Sequence, residues 1–296
     1  MVDISRATSG VNLPPAVASD IWQASTTQSA VMQLATRFDL PGSGVSIPII
    51  TGDPVANWVG ETATKPVSRG AVTNKLLRGY TIAVIEPFSN QFRRDLPALY
   101  RALAARLPGA LALKFDRTVF GIDAAPGSDF DTLFDAALVG ISGETYKGLL
   151  AAYSSIAEGG GELDGWALSP QAKSLLLGET DTTGRPLFTS GAGSDAVPTI
   201  LGAPTYTTKG VYAADADGAG AGTAAQIGFA GDWSSAAYGV VEDVTISISD
   251  QATLDDGGTQ INLWQQNMFA VRAEIEVGFR VRDIAHFAKL TDAVQA

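Results

Sequence analysis

Between Val45 and Ile85 the chain carries two strand-like stretches on either side of a long polar segment, and no other feature limits the fold so much. Val45, Ile47, Ile49 and Ile50 open the first stretch, and the glycine-rich run TGDPVANWVGETATKPVSRGAVTNK follows. Leu76 to Ile85 reads as the second strand, with Tyr80, Ile82 and Val84 alternating with Thr81, Ala83 and Ile85 at period two. Two strands around such a tip make a protruding hairpin. A hairpin of this kind is marginal alone, so it is expected to rest on another subunit.

The rest of the chain alternates helix and strand without a βαβ rhythm. Residues 1–40 read as an extended arm with one short helix, Ala16 to Ala24, ahead of the breaker Pro41-Gly42. Ser89 suits an N-cap for a short helical piece over Asn90 to Arg94, and Asp95 a second cap with Pro97 in the first turn. Leu99, Leu103, Leu107, Ala110, Leu113 and Val119 then recur at helical spacing up to Gly121. Pro108-Gly109 in the middle predicts a kink or two abutting helices, because proline removes a backbone bond.

A second region opens at Gly143. Tyr146, Leu149, Leu150, Tyr153 and Ile156 predict the buried stripe of an amphipathic helix stopped by Gly159-Gly160-Gly161. Asp164 to Leu168 reads as a buried strand, and Ser169 as the cap of a helix from Pro170 to Leu177. Residues 178–225 are loop-rich, ending in the tip ADADGAGAGTAA. Strands follow at Ile227 to Ala230 and around Val244, Ile246 and Ile248. In the last long strand Phe269, Val271, Ala273 and Ile275 alternate with the charged Arg272, Glu274 and Glu276. The order implies an α+β fold.

With 296 residues, 46% of them hydrophobic and 17% charged, the chain can bury one large core or two moderate ones. The net charge of −11 and the scattered Lys and Arg argue against tight, sequence-specific nucleic-acid binding. An acidic wall suits a container that must not stick to packaged DNA. Without cysteine there is no disulfide, thiolate metal site or cysteine nucleophile. No signal-like start and no run of ~20 apolar residues is present, so the chain reads as soluble, made in the cytoplasm and without a membrane partner.

Six pieces resemble the major capsid proteins of tailed bacteriophages, in order, over about Val45 to Leu290. They are Ala56-Asn57-Trp58-Val59-Gly60-Glu61 with Lys65-Pro66; Ser89 with Asp95 before the long helix; Gly165-Trp166-Ala167-Leu168-Ser169-Pro170; Leu201-Gly202-Ala203-Pro204; Gly228-Phe229-Ala230-Gly231-Asp232-Trp233; and Leu263 to Arg272. The resemblance implies the Hong Kong 97-type capsid fold. It assigns 1–50 to an N-terminal arm and the entry to a peripheral P-domain, and 51–79 to an E-loop. Residues 80–141 are then P-domain with a spine helix over 95–121, 142–242 an axial A-domain, and 243–296 further P-domain strands.

That resemblance also implies hexamers and pentamers of one chain in an icosahedral virion shell around double-stranded DNA, with a portal and an optional decoration protein. Some relatives carry a helical scaffolding segment ahead of the arm, whereas this chain begins directly at the arm, so either a separate scaffolding protein is used or the sequence is a mature product; the separate scaffold is the simpler expectation. An encapsulin-like compartment, a tail component and a soluble hydrolase are the alternatives. The hydrolase would have to use His286, the only histidine, which stands in an apolar setting; no Gly-x-Ser-x-Gly elbow supports it.

No catalytic, cofactor or metal residue is assigned. Asp215, Asp217, Asp255 and Asp256 lack the ligand spacing of a calcium loop and read as solvated turns, and Gly191-Ala192-Gly193 and Gly218 to Gly222 as flexible loops. Contacts with a neighbouring subunit are placed on Trp58, Glu61, Lys65 and Lys75. Trp58 is either an aromatic anchor on that neighbour or a residue packed within its own hairpin. Some relatives join an E-loop lysine to a neighbour's asparagine; for Lys65 and Lys75 ordinary salt bridges are the expectation.

Overall fold

A computed structural model describes residues 29–52, 56–61, 64–67, 71–91, 96–180, 183, 185, 199–214 and 224–294. The expected Ala16–Ala24 helix, the Asp95 cap, Asp215 and Asp217 lie outside them, as do both glycine-rich loops.

Two sheets organise the chain. The first runs β1 (Thr36–Asp39), β10 (Ala236–Ser249), β13 (Met268–Val281) and β4 (Tyr80–Ser89), with β1 parallel to β10 and the other pairs antiparallel. The second has the order β5 (Ala137–Ser142), β14 (Phe287–Val294), β9 (Gln226–Gly231), β6 (Gly165–Leu168), β8 (Ala203–Thr207), β7 (Thr199–Ile200). The strands of the 243–296 segment are therefore divided. β13 stays in the four-stranded sheet, whereas β14 runs through the six-stranded one between β5 and β9. Two hairpins stand apart, β2 (Val45–Gly52) with β3 (Ala71–Leu77), and β11 (Thr253–Asp256) with β12 (Thr259–Asn262).

The stretch read as one strand from Leu76 to Ile85 is two. β3 ends at Leu77 and β4 begins at Tyr80 in a different sheet. Gly278 of β13 explains the break: a Cβ there would run into the Arg78 carbonyl oxygen, so the connection crosses where only glycine fits. Within β4 the expected alternation holds, Tyr80, Ile82 and Val84 being half-buried and Thr81, Ala83 and Ile85 exposed. On β13, Phe269, Val271, Ala273 and Ile275 are buried while Arg272, Glu274 and Glu276 point outward.

Helix α2 (Leu96–Val119) crosses the four-stranded sheet as one 24-residue helix that contains Pro108. Two abutting helices do not form, because Leu107, Leu111, Ala112 and Phe115 on either side of the proline are pinned in the core. The helix ends in a Schellman motif. Gly121 (φ +76°) donates to the Thr118 carbonyl and Ile122 to that of Arg117, at 3.1 and 2.9 Å. Phe115 meets Phe130, Tyr238 and Phe279 edge-on, and Phe120 stacks on Phe229 at 5.0 Å, seating the second sheet against the end of α2.

Helix α3 (Thr145–Glu158) covers the second sheet, but not with the expected stripe. Gly148, Leu149, Ala152 and Ile156 face inward, while Tyr146, Leu150 and Tyr153 stay exposed. The glycine sets this rotation: a Cβ on Gly148 would lie 2.5 Å from the Gly140 carbonyl oxygen, so the helix approaches β5 on its smallest residue. Helix α4 (Pro170–Gly178) starts as expected, Ser169 Oγ accepting from the Ala172 N–H at 3.1 Å. Ser89 ends β4 and also acts as the expected cap: its Oγ accepts from the Gln91 N–H at 3.4 Å, with Asn90 and Gln91 in 3₁₀ conformation behind it.

Candidate inter-subunit contact sites

Among the described residues the β2–β3 hairpin pairs only with itself. Along its described tip Asn57, Gly60, Glu61 and Lys65 are all exposed. Trp58 reaches 106% relative exposure and Val67 85%, so the indole does not pack within its own hairpin. A naked tryptophan is a large apolar area without a partner, the pattern of an interface anchor.

Lys75 sits elsewhere. It lies at the root of the hairpin on β3, where Nζ donates to the Val281 carbonyl at 2.7 Å and pairs with Asp131 at 3.3 Å. Beside it the nearly buried Arg280 donates to the Leu76 carbonyl (2.8 Å), Asp131 (2.7 Å) and Asp129 (2.9 Å). This cluster fastens the root to β13 and to the 121–136 loop. Lys75 thus holds its own subunit together, and the structure does not bring it to Trp58, Glu61 and Lys65.

Asp116 was not legible as a site. Fully buried on α2, its carboxylate accepts from Ser29 Oγ (2.6 Å), the Ala30 N–H (3.1 Å), the Val31 N–H (3.4 Å) and Thr208 Oγ1 (2.9 Å). Ser29 also caps α1 (Ala30–Leu34), so one side chain ties α1, α2 and the turn at Lys209–Val211. Burial pushes its pKa from 3.8 up to about 6, against the lowering effect of those four donors. The sequence signal was an acid on the inward row Ala112, Asp116, Phe120.

His286 is buried in a 3₁₀ turn (Ile284–His286), its Nδ1 3.6 Å from Asp232 Oδ2 and without a hydrogen-bond partner. Ser234 Oγ donates to the same aspartate at 2.6 Å. Serine and histidine thus both approach the carboxylate, whereas a catalytic triad needs the histidine in the middle. Asp255 caps the tight β11–β12 turn by accepting from the Gly258 N–H at 2.8 Å. Among the described residues no three His, Cys, Asp or Glu side chains gather as a metal site, and no helix is long and apolar enough to cross a membrane.

The described fold is a hairpin outside both main sheets, tipped by an exposed tryptophan, and two sheets bridged by a long helix. Known proteins share it. The phage capsid family model matches residues 9–292. The chain is 30% identical to a probable major capsid protein of Mycobacterium phage D29, over 95% of this chain and 90% of that one. Solved structures from Mycobacterium phage Cain (TM-score 0.70, 25% identity, 100% of both chains) and Mycobacterium phage Ogopogo (TM-score 0.73, 20% identity, 90% and 92%) share the fold. The chain belongs to the phage capsid family.

Proposed function

We infer that this chain is the major capsid protein of a tailed phage, a structural subunit of the virion shell that forms hexamers and pentamers around double-stranded DNA. The uncovered Trp58 on a self-paired hairpin is the observation that carries the assembly reading, because it leaves a large apolar group to be buried by a second copy. Glu61 and Lys65, exposed beside it, supply polar contacts at the rim. The hairpin corresponds to the E-loop, α2 to the spine helix, and the two sheets to the P- and A-domains.

We read the chain as non-enzymatic, since His286 and Ser234 share an aspartate in the wrong order for a triad. Its net charge of −11 suits an inner wall that packaged DNA does not wet. A separate scaffolding protein, a portal and a decoration protein complete the proposed partners, and no membrane is involved.

Trp58→Ala tests the contact. Loss of a hot-spot residue weakens one contact by ~2 kcal/mol, about thirtyfold in its equilibrium constant. The variant is expected to keep the circular dichroism of the wild-type subunit while its threshold concentration for assembly rises at least that much. Assembly at the wild-type threshold refutes the contact.

A further inference from the structure

The chain passes between the two sheets by α2, which with the segment behind it leads from β4 to β5, and by two short connections. Residues 232–235 lead from β9 to β10, and residues 282–286 from β13 to β14. The short connections run side by side, because the Ala236–Val281 pair ends one ladder and the Gly231–Phe287 pair begins the other. Between those pairs lies a two-stranded ribbon in which each strand makes a 3₁₀ turn, Trp233–Ser235 and Ile284–His286. Among the described residues two backbone bonds cross it, from the Asp232 N–H to the His286 carbonyl (3.0 Å) and from the Arg282 N–H to the Ser235 carbonyl (2.9 Å). A ribbon so lightly bonded is where the angle between the sheets gives way most easily.

His286, the only histidine, stands in this ribbon and is 5% exposed. Its Nδ1 is buried without a hydrogen-bond partner, 3.6 Å from Asp232 Oδ2 on the opposite strand. A buried ring nitrogen left unpaired costs stability, and the carboxylate beside it is the group that a protonated ring would bond. The surroundings favour that proton. The ring packs on Gly161, where a Cβ would lie 3.1 Å from His286 Cγ, just beyond the negative dipole end of α3. Asp164 reaches the same ribbon and accepts from the Trp233 N–H (2.7 Å) and the Ser234 N–H (3.0 Å). Burial raises the Asp164 pKa against those bonds, and the Asp232 charge adds to the rise. Asp283 accepts from the Ala285 N–H at 2.9 Å, while Arg282, Glu158 and Glu162 are exposed.

We propose that His286 and Asp232 are a proton-operated latch on the ribbon that joins the two sheets. A histidine takes up its second proton within about pH 5 to 8, which makes both ring nitrogens donors. The Nδ1–H then bonds Asp232 across the ribbon once the gap closes by under ~1 Å, to the ~2.8 Å of a charge-assisted bond, and the sheets are held at one angle. As pH rises the proton leaves, the bond across the ribbon is lost and the angle is free to change. The latch belongs to the single subunit. Its action on a chain that takes more than one shape in pentamers and hexamers is the one consequence that rests on the shell reading.

With one histidine in an untagged chain, ¹³C-labelled histidine gives a single ring signal. Unassembled subunits are followed from pH 8 to pH 5 by that signal and by hydrogen exchange of the Asp232 and Arg282 amides, corrected for the intrinsic rate. The ring is expected to take up a proton in this range. In step with it the two amides are expected to exchange about tenfold more slowly, the least that a charge-assisted bond supplies. His286→Gln and Asp232→Ala abolish the slowing, whereas Asp116→Asn, which removes a carboxyl titrating in an overlapping range, leaves it. A ring that stays neutral down to pH 5, amides whose exchange ignores the charge of the ring, or a slowing that survives in both latch variants overturns the proposal. The first two results are read on the wild-type chain, so a variant that fails to fold does not leave the question open.

Discussion

Asp116→Asn is expected to separate the pH dependence of the subunit's stability from its packing. The Asp116 pKa is 3.8 in the unfolded chain and about 6 in the fold. A carboxyl group whose folded pKa is raised stabilises the fold fully below its unfolded value and loses that contribution as pH rises through the folded one. The window is therefore about pH 4 to 6, and the difference across it is ~3 kcal/mol. Acidification through this window tightens the junction between α1 and α2.

An asparagine amide fits one way round. Its oxygen in the Oδ2 position keeps the bond from the Ala30 N–H, and its NH₂ in the Oδ1 position donates to Ser29 Oγ. The long 3.4 Å bond from the Val31 N–H is lost and the Ser29 hydroxyl turns from donor to acceptor toward residue 116, together ~1 kcal/mol. At pH 7 the variant should be ~2 kcal/mol more stable than wild type, and at pH 4 ~1 kcal/mol less stable. Urea unfolding of unassembled subunits, followed by the fluorescence of the five tryptophans, reads this crossover. Parallel stability–pH curves for the two proteins would refute the reasoning. So would an asparagine variant several kcal/mol less stable than wild type at pH 7.

Two further substitutions probe the frame that carries the hairpin. Arg280→Ala leaves Asp129 without its cation and Asp131 with Lys75 alone, and is expected to cost ~3 kcal/mol in the same unfolding assay, with the hairpin root opening first to proteolysis within β3. Gly278→Ala forces a Cβ into the Arg78 carbonyl oxygen; the subunit should lose ~3 kcal/mol or fail to fold, whereas Gly160→Ala, with open space around its Cβ, costs only ~1 kcal/mol for its positive φ.

Much of this architecture was legible because hydrophobic period and local chemistry agree. The alternation over Tyr80–Ile85 and Phe269–Glu276, the Ser169 cap and the run ending at Gly121 all reflect short-range physics that a single segment displays. Backbone approach distances were not legible. Gly148 turned α3 by its closeness to β5, leaving Tyr146, Leu150 and Tyr153 outside, and Gly278 split a stretch that reads as one strand. The same holds for pairings between distant segments. Nothing local says that Phe287–Val294 lies between β5 and β9, or that Asp116 receives Ser29 and Thr208 from far along the chain. On the hairpin, Glu61, Lys65 and Lys75 read alike as contact candidates and Trp58 stood open between an anchor and a residue packed within its own hairpin; Lys75 turned inward because Asp131 and the Val281 carbonyl lie at the root.

Expression of the chain by itself, with negative-stain electron microscopy and mass photometry on the same soluble fraction, tests the central claim most directly. A shell subunit gives closed particles, or free rings of five and six. A uniform small species without rings or shells, persisting after a candidate scaffold is added, contradicts it.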